Sequence, residues 1–487
     1  MIKAKINISL LLHFISLVLV FESLFMLFAV IVAIIYHEET TMRLFYTFVS
    51  TLSLGVILNL LTKKQRRVEP SRQESFIIVS ISWIILGLIG TLPYLVTHSI
   101  PHFTNAFFES ISGFTTTGSS ILSDIEALPK SILFWRAETH WIGGMGIIVL
   151  VIAIMPFLQI NGIYLFYSEI SSVTDEKIST KIRYAARNLW LVYIGLTAIE
   201  TLLLYLGKMP LFDSICHSFA TIATGGFSTK NDSIASYSPY IQYIVTLFMM
   251  LSGINFALHV LTLRGNFRSV IKNEELRLYL FIILFIGLTI TAILYFDQQN
   301  ISIEKAFRDS IFQVVSIVTA TGFATADYLK WPIQAMFLIA VLMLIGASSG
   351  STGGGVKVIR HVISLKKINH SFRDLISPNA VHVIRCNGNS VKPEYVSGVL
   401  AFIIFYYLIL GISTLIMMVF GQDAATSFGA SATCMGGIGP GFGKVGPTSN
   451  FLHLPVTVKY YLTFLMVIGR LEIYSFLIIF TRSFWRY

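Results

Sequence analysis

The 487-residue chain is 55% hydrophobic and 12% charged, with a mean hydropathy of +0.74, whereas an ordinary soluble chain carries about 25% charged residues. These values exclude a soluble enzyme or a nucleic-acid-binding domain and require a membrane protein, so the net charge of +10 needs another explanation. Of the 35 Lys and Arg, 24 fall in six clusters: 2 in residues 1–7, 5 in 63–72, 4 in 175–187, 4 in 264–277, 7 in 357–392 and 2 in 482–486. The clusters follow alternate apolar stretches, which is the positive-inside asymmetry that fixes orientation. Both termini are therefore expected in the cytoplasm; no nucleic acid is implied, and attraction to anionic membrane lipid is compatible with the pattern.

Apolar windows of about 20 residues lie near 8–36, 42–62, 74–97, 132–156, 188–207, 238–262, 277–296, 332–365, 395–420 and 456–481. Ten crossings are expected, with no polar block large enough for a separate domain. The first window exceeds the ~7–15-residue core of a signal peptide and lacks a small-residue cleavage pattern. It is expected to remain as a span, with Glu22 facing protein. Cys216, Cys386 and Cys434 are odd in number and lack CxxC spacing, which indicates neither a disulfide framework nor a zinc site.

Between crossings three and four, five and six, seven and eight, and nine and ten lie segments too short to span, which predicts re-entrant helices. They read NAFFESISGFTTTG (Asn105 to Gly118), DSICHSFATIATGG (Asp213 to Gly226), DSIFQVVSIVTATG (Asp309 to Gly322) and DAATSFGASATCMGGIG (Asp423 to Gly439). In the first three the Asn or Asp stands 13 residues before the Gly, and in the fourth 16. Each such residue is a candidate N-cap. The fold class that follows is an all-α membrane protein with four pseudo-symmetric span, pore-helix, span units around a central pore. Residues 1–70 supply two extra helices, and the units are 71–170, 171–265, 266–375 and 376–487.

Gly-terminated strips can point successive carbonyls at one axis, and converging carbonyls replace a cation's water shell. The candidates are Thr116, Thr117, Gly118; Thr224, Gly225, Gly226; Ala320, Thr321, Gly322; and Gly437, Ile438, Gly439. Each short helix would aim its partly negative C-terminal end at the cavity below. Taken singly, Thr-Gly after a short helix reads as a C-cap. Fourfold recurrence between spans favours a shared role at the centre, because irregular backbone at membrane depth survives only inside protein or along a cavity.

The units carrying TTTGS, ATGGFST, TATGFAT and GGIGPG resemble the Trk/Ktr/HKT superfamily of cation transporters over essentially the whole chain. The two N-terminal helices, IGASSGSTGGGVKVIR and GRLEI are most similar to its TrkH branch. The resemblance implies potassium as the transported and filter-bound ion, with no cofactor in this chain. A Gly in the first strip goes with potassium preference in that family, and Ser there with sodium in some plant relatives; Gly118 fits the former. A less selective or sodium-coupled transporter is the alternative.

The run Gly346 to Gly355 in the eighth window is either a close-packing surface or a broken loop beneath the filter; the family's intramembrane gate supports the loop, with Gly346, Gly350, Gly353, Gly354 and Gly355 as its glycines. Arg470, mid-window, must face a pore or a partner. Its choices are an ion pair with Glu472 or a neighbouring acid, or a positive barrier below the filter like the family's matching arginine. Lys357 reads as a snorkelling edge anchor. Glu138, His140, Glu200, Asn255 and His259 read as packing partners, and Glu109 and His217 as supports of the strips.

GFGKVG (Gly441 to Gly446) satisfies GxGxxG without opening a helix after a strand, so no nucleotide site is indicated. No zinc motif or nucleophile elbow points to an enzyme. The resemblance implies a homodimer in the bacterial inner membrane and a separate cytoplasmic nucleotide-binding ring of the TrkA kind. Basic loops 175–187, 264–277 and 357–392 are candidates to receive it.

Overall fold

The computed structural model describes residues 6–65, 68, 70–158, 175–297, 301–377 and 383–485. Among these, the regular elements are helices apart from one hairpin pairing Arg385–Cys386 with Asn389–Ser390. Helices suit lipid because they satisfy every backbone group within one segment. Ile8–Ile35 and Thr41–Leu61 pack on each other; a Cβ on Gly55 would stand 2.9 Å from Val20 Cγ2, so the missing side chain lets them approach. Glu22 is fully buried against protein, as its position in an apolar window requires.

The third crossing opens on a capping box made by Ser71 and Glu74, and Lys130–Leu158, Asp175–Leu206, Glu274–Asp297 and Pro393–Val419 are single long helices. Two windows read as straight crossings are bent instead. Pro239–Ser252 and Phe256–Leu263 meet at 98°, and Val456–Arg470 meets the stretch from Tyr474 at 107°. The first bend lies at Gly253 to Asn255, where Asn255 caps the new helix by accepting Ala257 N–H at 2.9 Å. The second lies at Glu472 and Ile473, both left-handed with φ of 55° and 51°. Average hydropathy does not register either break. The eighth window stops as a helix at Leu342 and resumes at Val358, so residues 346–355 are a loop and not a packed helix face.

Four short helices stand between the spans: Phe103–Phe114, Leu211–Ile222, Ile303–Val318 and Ala424–Gly436. The expected architecture of two N-terminal helices and four span, short-helix, span units is the observed one. The capping expectation holds only for Asp423, which accepts Thr426 N–H at 2.9 Å. Ser302 caps the third short helix, and Asn105 and Asp213 sit one turn inside theirs. Those side chains work elsewhere: Asn105 accepts from Lys459 Nζ at 2.8 Å and Asp213 from Thr229 Oγ1 at 2.7 Å. The basic stretch at 175–187 is helical from Asp175 rather than a loop.

The short helices are held by backbone-to-backbone contact. A Cβ on Gly143 of Lys130–Leu158 would lie 1.9 Å from Phe114 O, at the end of the first short helix. Gly143→Ala is expected to cost about 1–3 kcal/mol by overpacking and to lower the melting temperature in detergent. Gly195→Ala is the control: nothing lies within 4 Å of its Cβ position, so thermal melts should show no loss.

Candidate functional site

Each short helix ends the same way. The chain turns left-handed at two positions one residue apart: Thr116 and Gly118 (φ 53° and 78°), Thr224 and Gly226 (53° and 80°), Ala320 and Gly322 (58° and 86°), Gly437 and Gly439 (69° and 95°). The residue between them sends its N–H five residues back: Thr117 to Ser112 O at 2.9 Å, Gly225 to Ala220 O at 2.8 Å, Thr321 to Ser316 O at 2.9 Å, Ile438 to Thr433 O at 3.0 Å. These are the long bonds of a Schellman C-cap. Locally, then, every strip is a C-cap, and the shared φ pattern fixes the register of the fourth. Thr116 and Thr224 are β-branched residues in a left-handed conformation, a strain of about 1–3 kcal/mol each that the surroundings must hold.

The four caps meet in a closed circuit. A Cβ on Gly118 would lie 2.1 Å from Gly225 O, one on Gly226 2.0 Å from Thr321 O, one on Gly322 2.1 Å from Ile438 O, and one on Gly439 3.2 Å from Thr117 O. Strip one touches two, two touches three, three touches four and four returns to one. The four candidate strips therefore come together in one ring, eight of their twelve residues making these contacts. Their central amides are engaged with the short helices, so carbonyl oxygens are the polar groups left at the ring's joints.

At the end of the ring where the short helices terminate lies the loop between Leu342 and Val358. Thr352 Oγ1 donates to Ile222 O at 3.0 Å. A Cβ on Gly353 would stand 2.6 Å from Thr319 O, and one on Gly354 2.1 Å from Gly436 O. Arg470 Nη1 donates to Thr352 O at 2.8 Å and Nη2 to Gly143 O at 3.0 Å, and Gly143 abuts Phe114 O. The loop reaches the ends of three short helices, and Arg470 is linked to the end of the first through Gly143. Among the described residues no carboxylate pairs with Arg470; Glu472 pairs with Arg360 at 2.5 Å, which removes the ion-pair alternative. Lys357 does not snorkel: it is buried and donates to Gly353 O within the loop. Gly346 donates its N–H to Val356 O at 2.8 Å, and Gly350 and Gly355 turn left-handed with φ of 72° and 73°.

The model of the TrkH family, described as a cation transport protein, matches residues 40–487. The chain belongs to this family. It is 37% identical over 461 residues to the Trk system potassium uptake protein TrkH of Salmonella typhimurium, covering 94% of this chain and 95% of that protein. Identity to the Trk system potassium uptake protein TrkG of Escherichia coli is 33% over 469 residues, covering 95% and 96%. The crystal structure of the potassium transporter TrkH from Vibrio parahaemolyticus matches with a TM-score of 0.88 at 33% identity, over 99% of this chain and 100% of that one. This TrkH-family chain is thus a multi-pass membrane transport protein and not an enzyme.

Behind its ring, the TrkH-family chain carries supports that the sequence only partly disclosed. Glu109 accepts Ile121 N–H at 3.0 Å and Ser120 Oγ at 2.9 Å, just past the first strip. It also pairs at 2.8 Å with Arg136, both side chains being fully buried. Arg136 in turn donates to Ser228 O at 3.2 Å and lies 4.1 Å over the Phe227 ring, just past the second strip. His217 Nε2 bonds Ser228 Oγ at 2.9 Å and Gln313 Nε2 donates to Ala326 O at 3.1 Å, so Glu109, His217 and Gln313 do equivalent work. His140 bonds Gly113 O through Nδ1 at 2.8 Å and leaves Gly225 no room for a Cβ.

Arg136 and Gln313 were missed as supports. Arg136 sits near a window edge where an arginine looks like an anchor, while Gln313 shares the spacing of Glu109 and His217 and was available from it. In the segments that follow the first and second strips, Lys230 bonds Glu126 at 2.9 Å and holds its carboxyl below the usual range; both are partly exposed, so the contact contributes little.

Removing one partner of a buried pair costs about 3–5 kcal/mol. Arg136→Met or Glu109→Gln alone is expected to lower the melting temperature sharply. The combined Arg136→Met, Glu109→Gln variant should lose less than the sum of the two, measured as a double-mutant cycle of thermal stability.

Proposed function

We propose that this chain takes up potassium selectively across the bacterial inner membrane through the ring of strip carbonyls. The observation that carries this reading is the closed circuit from Gly118 through Gly226, Gly322 and Gly439 to Thr117. Carbonyl oxygens converging on one axis substitute for the hydration shell of a dehydrated monovalent cation. The C-terminal ends of four short helices meet at one side of that ring, where partial negative charge favours a cation. Units 71–170, 171–265, 266–375 and 376–487 would each supply one strip, with residues 1–70 standing outside them. Potassium uptake is what the curated relatives are named for.

The loop from Gly346 to Gly355 and Arg470 form the gate in this reading. They occupy the convergence of the helix ends, and an arginine held there opposes a cation both by volume and by charge. Opening requires the bonds to Thr352 O and Gly143 O to be given up. A cytoplasmic nucleotide-binding ring of the TrkA kind would supply that input to a homodimer, with both termini and the basic stretches on its side of the membrane.

Rubidium uptake into potassium-free vesicles containing the purified protein tests transport, with sodium as competitor. Rubidium and potassium are expected to enter in preference to sodium. Absence of flux would contradict transport, and equal sodium and potassium flux, or rubidium uptake that requires sodium, would replace selective uptake by the less selective or sodium-coupled reading. Gly118→Ser should reduce the preference. Arg470→Ala, or a loop shortened between Gly350 and Gly355, is expected to raise flux roughly tenfold, the shift for losing charged hydrogen bonds that favour one of two states. A lower flux with selectivity intact would mean the gate is assigned wrongly.

A further inference from the structure

The two ends of the loop run side by side where it leaves the helices. Gly346 N–H donates to Val356 O at 2.8 Å and Val358 N–H to Ala347 O at 3.1 Å. One side-chain oxygen then spans this neck from a third element: Glu275 Oε1 accepts Ser349 N–H at 2.6 Å and Ile359 N–H at 3.1 Å. Glu275 is 5% exposed and lies in the first turn of Glu274–Asp297. Acidic residues are common in a first turn because they complement the helix dipole. This one directs Oε1 to the loop's amides rather than to its own helix. Its neighbour Glu274 pairs with Lys366 on Val358–Ile376, the helix continuous with the loop.

We propose that Glu275 is a positioning residue of the gate, holding both ends of the Gly346 to Gly355 loop so that Thr352, Gly353 and Gly354 stay against the short-helix ends. The inference rests on the gate reading above. The physical reason is the composition of the loop: Gly350, Gly353, Gly354 and Gly355 give it the largest conformational freedom to lose. A glycine-rich segment keeps one position only if its ends are fixed, and closing those ends removes most of that freedom. Hydrogen bonds from amides on both sides of the neck to one carboxyl oxygen fix them to a span that also packs against the third short helix. Releasing Glu275 leaves the neck closed only by its two backbone bonds, which makes it easier to separate while every strip contact remains intact.

The test uses the full chain in vesicles. Glu275→Ala is expected to raise basal rubidium flux roughly tenfold, the change for losing two ordinary buried hydrogen bonds, with the potassium to sodium preference unchanged. Glu275→Gln keeps an acceptor oxygen and should fall between wild type and Glu275→Ala. A second readout separates release of the loop from loss of fold: Ser351→Cys, at a position 1% exposed, should react faster with a water-soluble thiol reagent in the Glu275→Ala background. Buried Cys216 and Cys434 should stay unreactive there. If the shortened loop raises flux while Glu275→Ala and Glu275→Gln match wild type, the proposal is overturned and the gate stands. If neither raises flux, the gate itself falls. If all cysteines become reactive together, Glu275 is structural and the proposal is also overturned.

Discussion

Peptide groups that leave a helix in the middle of a membrane have no water to satisfy them, and four segments of this chain leave a helix at the same place. The solution is shared among them. Each segment sends its central amide back to its own short helix in a Schellman bond and lays its glycine against a carbonyl of the next segment around the circuit. The donors are consumed locally and acceptors are left around one axis. The ring follows from that asymmetry, and in the proposed reading so do its preference for a cation and the plug at one end.

Glycine serves two purposes within a few ångströms, close approach and left-handed turns, and both strips and loop use both. In the strips it is required because there is no space: Gly118, Gly226 and Gly322 each face a carbonyl at about 2 Å from where a Cβ would stand. That crowding makes the ring rigid, and the buried Glu109 and Arg136 pair, His140 and His217 brace it from behind. In the loop, Gly350 and Gly355 are required because the chain turns left-handed there, and the absence of side chains leaves the segment little of its own to hold it. In the proposed reading the rigid ring discriminates, and the loop is the part that releases. Strain at Thr116 and Thr224 is tolerated because the cap bonds and neighbouring strips over-determine their conformation.

Much of this was legible in the sequence. Fourfold spacing of Asn or Asp, a short apolar segment and a terminal Gly exposed the repeat, and the small-residue run exposed the break in the eighth window. What failed has a physical cause in each case. Bends at Gly253 to Asn255 and at Glu472 to Ile473 preserve mean hydropathy, so a window average passes over them. Asn105 and Asp213 look like caps, but their helices begin earlier and their side chains are drawn to Lys459 and Thr229. Arg136 reaches a buried acid and a carbonyl from distant segments, which no local pattern encodes, and Lys357 reaches the Gly353 carbonyl only because the loop folds back on it. Glu275 is an ordinary first-turn acid until the loop it grips is folded over it.

The central claim is that cations sit on the axis enclosed by Thr116 to Gly118, Thr224 to Gly226, Ala320 to Gly322 and Gly437 to Gly439. Anomalous scattering from crystals of this protein grown in rubidium tests it most directly. The expected result is density on that axis, within coordination distance of the strip carbonyls and equally placed between the four strips. Rubidium density found only elsewhere, with the axis empty at saturating ion, would contradict the account.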